Sequence, residues 1–407
     1  MRPSNSAVAF AVGLAALLGV GGLVGLFPVA RPTPPTPAEV RAFGAGLPPP
    51  GTEADIQAAL AAPPLKGTYG PTRPSIRLPA GDVVLTQPLV FGGLYSPVLA
   101  GDSMHGTRLI WDGPADRYPV EFRGCDHPRL SDLTITFRKP AAGGVLVANA
   151  VGAGVTNTAA VIERVWVDAY AGFGVRHGVC LDNTAGGAQP DQNGEHHQVR
   201  DCHLQGVHYG VYVGQTQAHR CAVRGTSFSA CYHGVYARAC GSQTVEDCAF
   251  AACTRCLTFG DQYGGGAIAR RINAEGCKQL ARFWSGPGTG VLEDVRCDGM
   301  VPFAAADDLT AGDPYRNTYM TAAVMIAGPA VTVRRVQLAA YGQPHPIRLW
   351  LGGSAADVVD LQVWRAEGDP APVALAYGGP PRRWEFNLLG TVMTDGQQPT
   401  EPFAYTK

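Results

Sequence analysis

Val199-Arg-Asp-Cys-His-Leu204 comes back, altered but legible, as Val223-Arg-Gly-Thr-Ser-Phe228, Val245-Glu-Asp-Cys-Ala-Phe250 and Leu292-Glu-Asp-Val-Arg-Cys297, with Ala269-Arg-Arg-Ile-Asn-Ala274 before the last. The step between copies is about two dozen residues, a period that marks a solenoid. Each copy carries a second echo: Val207-His-Tyr-Gly-Val-Tyr212 matches Cys231-Tyr-His-Gly-Val-Tyr236 and, more loosely, Cys253-Thr-Arg-Cys-Leu-Thr258. Outward from this stretch the pattern reaches Leu130-Ser-Asp-Leu-Thr-Ile135 and Ile162-Glu-Arg-Val-Trp-Val167 on one side. On the other it reaches Val333-Arg-Arg-Val-Gln-Leu338 and Val358-Val-Asp-Leu-Gln-Val363.

The last three residues of each copy alternate in-out-in, the period of a strand. Two short strands and their turns fill one period, which leaves no room for the crossover helix of a βαβ unit. Identical faces at a constant step stack in register, with successive coils about 4.8 Å apart. One inward ladder reads Val165, Cys202, Thr226, Cys248, Ile272 and Val295; the next reads Val167, Leu204, Phe228, Phe250, Ala274 and Cys297. The expected fold is all-β, a right-handed parallel β-helix whose coils bury apolar sides only against their neighbours. The hand follows from the bias of parallel crossovers.

Composition narrows the function. With 46% hydrophobic residues, 407 residues bury a large core. Thirty-two Lys and Arg balance thirty-three Asp and Glu, for a net charge of −1. No basic field points to nucleic acid. Of the eleven Cys, Cys202, Cys231, Cys248, Cys253, Cys277 and Cys297 fall where other copies carry apolar residues, so they read as small hydrophobes. Cys253-Thr-Arg-Cys256 has no second pair at zinc spacing, and no metal or cofactor is called for.

The chain divides into four parts. Residues 1–30 hold an almost unbroken apolar run, Ala7 to Phe27, long enough to span a bilayer. It reads as a transmembrane or signal-anchor helix, or as a secretion signal. Both place the body outside the cytoplasm, membrane-anchored or secreted. Residues 31–51 form a Pro-rich, extended linker. Residues 52–390 are the solenoid and 391–407 a polar tail. At the start of the solenoid, Thr52-Glu-Ala-Asp-Ile-Gln-Ala-Ala-Leu-Ala-Ala62 reads as a helix capped by Thr52 and ended by Pro63-Pro64.

That helix, then Leu78-Pro-Ala-Gly-Asp82 and a strand, then Gly101-Asp102 and His105-Gly-Thr-Arg-Leu109, resembles the opening of the pectate-lyase-like superfamily. There the helix caps the open end of a β-helix. The resemblance implies polysaccharide as a partner, among members that also include tailspikes and proteins of no known activity. It carries over no catalytic residue. Of the polygalacturonase motifs only the pair Asp307-Asp308 occurs, with Arg176-His-Gly178 the nearest fragment to Gly-His-Gly; no acidic run is dense enough for a pectate-lyase calcium site.

Two segments break the repeat: Asp182 to His197, and Ala304 to Tyr319. Both are read as leaving the coil at one phase, and so on one side, about 20 Å apart by coil spacing. They are expected to wall a groove. Candidate carboxylates are Asp201, Asp247, Glu195, Asp307 and Asp308. Asp201 and Asp247 lie about 9–10 Å apart on next-but-one coils, near the upper limit for an inverting pair. Their position also holds Asp132, Arg164, Gly225, Arg271, Arg335 and Asp360, which reads equally as a turn or solvated rail. Candidate sugar-binding groups are Trp166, His196, His197, His203, Tyr209 and Tyr232, with Tyr212 and Tyr236 in the same aromatic row. The expected function is polysaccharide binding or a surface scaffold. The alternative is a glycoside hydrolase or polysaccharide lyase acting on a pectin-like or other acidic polysaccharide.

Overall fold

The computed structural model describes residues 51–73, 75–149, 158–170, 174–182, 194–214, 218–238, 241–260, 266–283, 289–301, 323–326, 330–340, 347–351, 356–365 and 373–376. The apolar segment, the linker, the tail and Asp307-Asp308 lie outside them. Among the described residues no helix is long and apolar enough to cross a membrane.

The repeat folds as a parallel β-helix. Among the described residues eleven parallel strands, from Leu89–Gly92 to Val373–Ala376, form one face, here the front sheet. Sixteen form a second, bent sheet. The register follows the repeat: Trp166, His203 and Ser227 are successive partners, as are Val211, Val235 and Leu257. Both predicted inward ladders are buried, from Val165 to Val295 and from Val167 to Cys297. Interior rings stack between coils, with Phe228 and Phe250 centroids 4.7 Å apart.

Coils such as 161–181 and 267–283 contribute the two strands expected, whereas in coils such as 198–213, 221–237 and 243–259 the bent-sheet strand is split, giving three. The reason is a corner in the bent sheet. Asp132, Arg164, Asp201, Gly225, Asp247, Arg271, Asp294 and Arg335 all have φ between 49° and 61°, left-handed backbone that turns the strand. The repeated Asp position is therefore a corner, and its side chains form a rail. Arg164 donates to both oxygens of Asp132, at 2.5 and 2.9 Å, and Arg271 to both of Asp247, at 2.6 and 2.9 Å. Arg335 makes the same pair with Asp294. One residue earlier, the buried Glu163 meets Arg129, Arg164 and Arg200. Buried carboxylates of this kind are tolerable only when such partners compensate their lost hydration.

The helix Glu53–Ala61, α1, closes the first coil. Thr52 accepts from Asp55 N, and the Asp55 carboxylate accepts from Thr52 N, a complete capping box. Its Ile56 is buried against the core. Glu53 accepts from the backbone of Thr86 and Gln87 and ties the cap to the sheet.

The two breaks in the repeat leave the coil at different phases. The first follows the front strand His177–Leu181. The second follows the bent-sheet strand Thr289–Asp298 and precedes the front strand Val324–Ile326. The expectation of one shared phase is thus overturned. The apolar strand that follows the second segment, Val324–Ile326, belongs to the front sheet and sets the difference.

Candidate functional site

Within a front strand such as Tyr209–Val213, Val211 and Val213 join the interior core while Tyr212 packs on a separate outer cluster of Tyr118, Leu146, Ala148 and Cys180. The outer positions therefore form two ladders. One runs His177, Tyr209, His233, Arg255, Gln279; the other runs Cys180, Tyr212, Tyr236, Thr258, Arg282. Coil spacing brings their rings into contact. His177 stacks on Tyr209 at 5.5 Å, Tyr209 on His233 at 5.2 Å and Tyr212 on Tyr236 at 5.6 Å.

The ladder opens at the turn from the bent sheet into the front sheet. There Arg176, His208, Tyr209 and Tyr232 line a groove of about 590 Å³, floored by Gly206 and Val207. His208 is exposed and stacks on Tyr232 at 4.5 Å, with its edge toward Tyr209 at 4.4 Å. Arg255, buried behind Tyr232, donates from Nη1 to its hydroxyl at 2.9 Å.

Burial and charge set the protonation of this cluster. Burial, helped by the charge of Arg176, drops the His177 pKa to about 4, and burial with Arg255 holds His233 well below the usual imidazole range. Both are neutral near pH 7. Burial also raises Tyr209, against the opposing fields of Arg176 and Arg255, so its phenol keeps its proton. The groove is positive, aromatic and lined by no carboxylate among the described residues.

The structure divides the sequence candidates among several places. Tyr209 and Tyr232 belong to this groove. Trp166 and His203 lie on the outer face of the bent sheet, Trp166 between the edges of His105 and His203 at 5.5 Å each. His203 is held there by Ser227 at 2.5 Å and Gln205 at 3.2 Å. His196 is exposed at another corner, with φ 62°, 3.7 Å from Glu195. His197 is corrected outright: it is 1% exposed and points into the solenoid, where its Nδ1 accepts from Ala160 N at 3.2 Å. It cannot touch a ligand. Asp201 and Asp247 stand on the rail and not on the groove.

Sequence reasoning missed Arg255, Arg176 and His177 as site groups. The signal was present. His177-Gly-Val, Tyr209-Gly-Val, His233-Gly-Val and Arg255-Cys-Leu share one repeat position, and polar residues there alternate with core valines.

No protein-family model and no curated protein matches this sequence. Solved structures do. DFA-IIIase from Arthrobacter chlorophenolicus A6 superposes with a TM-score of 0.53 at 12% identity, over 82% of this chain and 86% of that one. An alginate lyase from Paenibacillus sp. str. FPU-7 gives 0.46 at 14% identity, over 81% and 96%. The mannuronan C-5 epimerase A-module of Azotobacter vinelandii gives 0.44 at 15%, over 87% and 99%. Register, corner and the superposition on DFA-IIIase agree: this chain folds as a right-handed parallel β-helix.

Proposed function

We propose that the protein acts on an acidic polysaccharide in the groove of His208, Tyr209, Tyr232 and Arg176, cleaving it by β-elimination. The observation that carries this reading is the composition of the groove. Hydrolysis of a glycoside generally needs two carboxyl groups about 5–10 Å apart across the scissile bond. The groove offers imidazole, phenol and guanidinium instead.

That set suits removal of a proton next to a carboxylate. Arg176, with Arg255 behind the ring of Tyr232, neutralises the uronate carboxylate and so acidifies its α-proton. His208, the exposed imidazole, takes that proton. Tyr209, kept protonated, gives its proton to the departing glycosidic oxygen. The C–O bond breaks as a C=C bond forms, and no water is consumed. The half-buried Tyr212–Tyr236 pair supports sugar stacking next to this centre.

The test is a panel of polyuronates and neutral glycans, followed by ultraviolet absorbance of the unsaturated uronate and by binding. The expected result is unsaturated product from a polyuronate, lost in His208→Ala and Tyr209→Phe with binding retained. Binding without product makes the groove a carbohydrate-binding site only. Reducing ends released without unsaturation sink the elimination reading. The apolar run Ala7 to Phe27 supports placement of this groove outside the cytoplasm, where such polymers are met; cell fractionation of the full chain checks that proposal.

A further inference from the structure

Beneath the groove lies a set of thiols that the proposed reaction does not use. Ser229, Ala251 and Glu275 are in-register partners on three consecutive coils, and Cys231, Cys253 and Cys277 each follow two residues later. Each thiol reaches back to a carbonyl of the preceding coil: Cys231 to Leu204 at 3.4 Å, Cys253 to Phe228 at 3.7 Å and Cys277 to Phe250 at 3.7 Å. Coil spacing puts neighbouring members about 4.8 Å apart at Cα, inside the window of about 4.4–6.8 Å that a disulfide spans. Cys253, Cys256 and Cys277 belong to the same buried core. All of them are buried and reduced.

The position of this cluster matters because Cys253-Thr-Arg-Cys256 brackets Arg255. Thr254 N donates to Cys231 O at 3.0 Å, Arg255 N to Tyr232 O at 2.8 Å, and Cys253 O accepts from Lys278 N at 3.2 Å. A displacement of Cys253 toward the next coil is therefore transmitted to the residue whose guanidinium holds Tyr232.

We propose that Cys253 and Cys277 form a reversible disulfide under peroxide, and that this bond displaces Arg255 and weakens the groove. The second half rests on the function proposed above; the first does not. The neighbouring thiols of Cys253 and Cys256 hold the Cys277 thiol below its usual range against the effect of burial, in support of Cys277 as the attacking sulfur. That thiolate attacks peroxide, the O–O bond breaks, and Cys277 becomes a sulfenic acid while the hydroxide released takes up a proton as water. The Cys253 sulfur then displaces the sulfenic oxygen, which leaves as a second water. Two thiols and one hydrogen peroxide thus give one disulfide and two waters. A dithiol reductant reverses the change by exchange.

The experiment uses the full-length protein, reduced, then treated with hydrogen peroxide, then with dithiothreitol. Alkylation and peptide mapping read the thiols, and polyuronate binding or cleavage reads the groove. The expected map links Cys253 to Cys277 after peroxide. Activity or affinity then falls by about tenfold or more, since an error of 1 Å in placement costs up to about 100-fold. Dithiothreitol restores it, and Cys277→Ala is insensitive to peroxide. Cys253→Ala serves the same purpose should Cys277→Ala not fold. Alkylation of both thiols after peroxide, or a link from Cys277 to Cys256, overturns the assignment, and a Cys253–Cys277 link with unchanged binding overturns the coupling. Should the reduced protein engage no polyuronate, hydrogen exchange at residues 254–256 reads the displacement. Equal protection in the two redox states then overturns it.

Discussion

Arg255 and Tyr232 form one unit from two neighbouring coils. The guanidinium donates to the Tyr232 hydroxyl at 2.9 Å, and its central carbon sits 5.1 Å from the centroid of the same ring. Lysine keeps the charge but has neither the planar fork nor the stacking face. A hydrogen bond to a charged group contributes about 1.5–3 kcal/mol, so Arg255→Lys is expected to lower polyuronate affinity or turnover by roughly 10- to 100-fold. Circular dichroism should show the strand content unchanged. An Arg255→Lys protein with full activity would remove Arg255 from the site.

Interior volume is balanced across the solenoid. A Cβ on Gly210 would sit 2.5 Å from the Phe228 ring and 2.5 Å from the Gly234 carbonyl oxygen, and one on Gly234 would meet the Phe250 ring at 2.4 Å. On these two coils the glycine before the valine thus makes room for a stacked phenylalanine. Overpacking costs typically about 1–3 kcal/mol, so Gly210→Ala should lower the denaturant midpoint at unchanged slope. Adding Phe228→Leu should recover only part of the loss, because the Gly234 carbonyl is backbone and cannot move aside. Full recovery in the double variant would mean that the ring alone sets the constraint.

How much of this was legible follows from what the repeat encodes. Period and inward positions are properties of spacing, so the ladders through Cys202, Phe228 and Cys248 could be read directly. The corner was legible only as a turn or solvated rail, because Asp201, Gly225 and Arg271 share a left-handed φ but no common side chain. Arg is an uncommon residue in that conformation. His197 misled for a related reason: a polar residue beside an insertion looks exposed, yet its neighbours in register are Ala160 and Cys221, both interior. The groove was half visible. Tyr209 and Tyr232 stood out as aromatics, while Arg255 was concealed inside what read as a cysteine motif.

The rail carboxylates are expected to have no part in turnover. Asp247 is held below the usual carboxylate range by its hydrogen bonds from Arg271, and it stands at a corner of the bent sheet. Asp201 lies two coils away at the same corner, with Gly225 where other coils carry Arg. Asparagine tolerates left-handed backbone well. Asp201→Asn and Asp247→Asn should therefore leave kcat and KM for a polyuronate within about twofold of the parent, inside the range of surface substitutions of about 0.5 kcal/mol. Loss of cleavage in either variant would restore the carboxylate-pair reading.

Stability is expected to fall with acid in a window set by buried histidines. Burial lowers His177 and His197 to about 4 from an ordinary 6.5, and His233 lies well below its usual range. The unfolded chain binds these protons near pH 6.5 and the folded chain does not until about pH 4. Stability is therefore complete above pH 6.5 and is lost as pH falls from 6.5 toward 4, with His177 and His197 each contributing at most on the order of 3 kcal/mol. Carboxylates act lower. Although burial opposes ionisation of Glu121 and Glu163, their arginine partners win and hold both below 4.5, so their loss begins only beneath that value. Denaturant unfolding at stepped pH checks the order of the two windows. His197→Gln, whose amide oxygen can accept from Ala160 N, should flatten the slope between pH 6.5 and 4 and leave the lower window intact. A slope unchanged in that variant would mean that His197 does not titrate with unfolding.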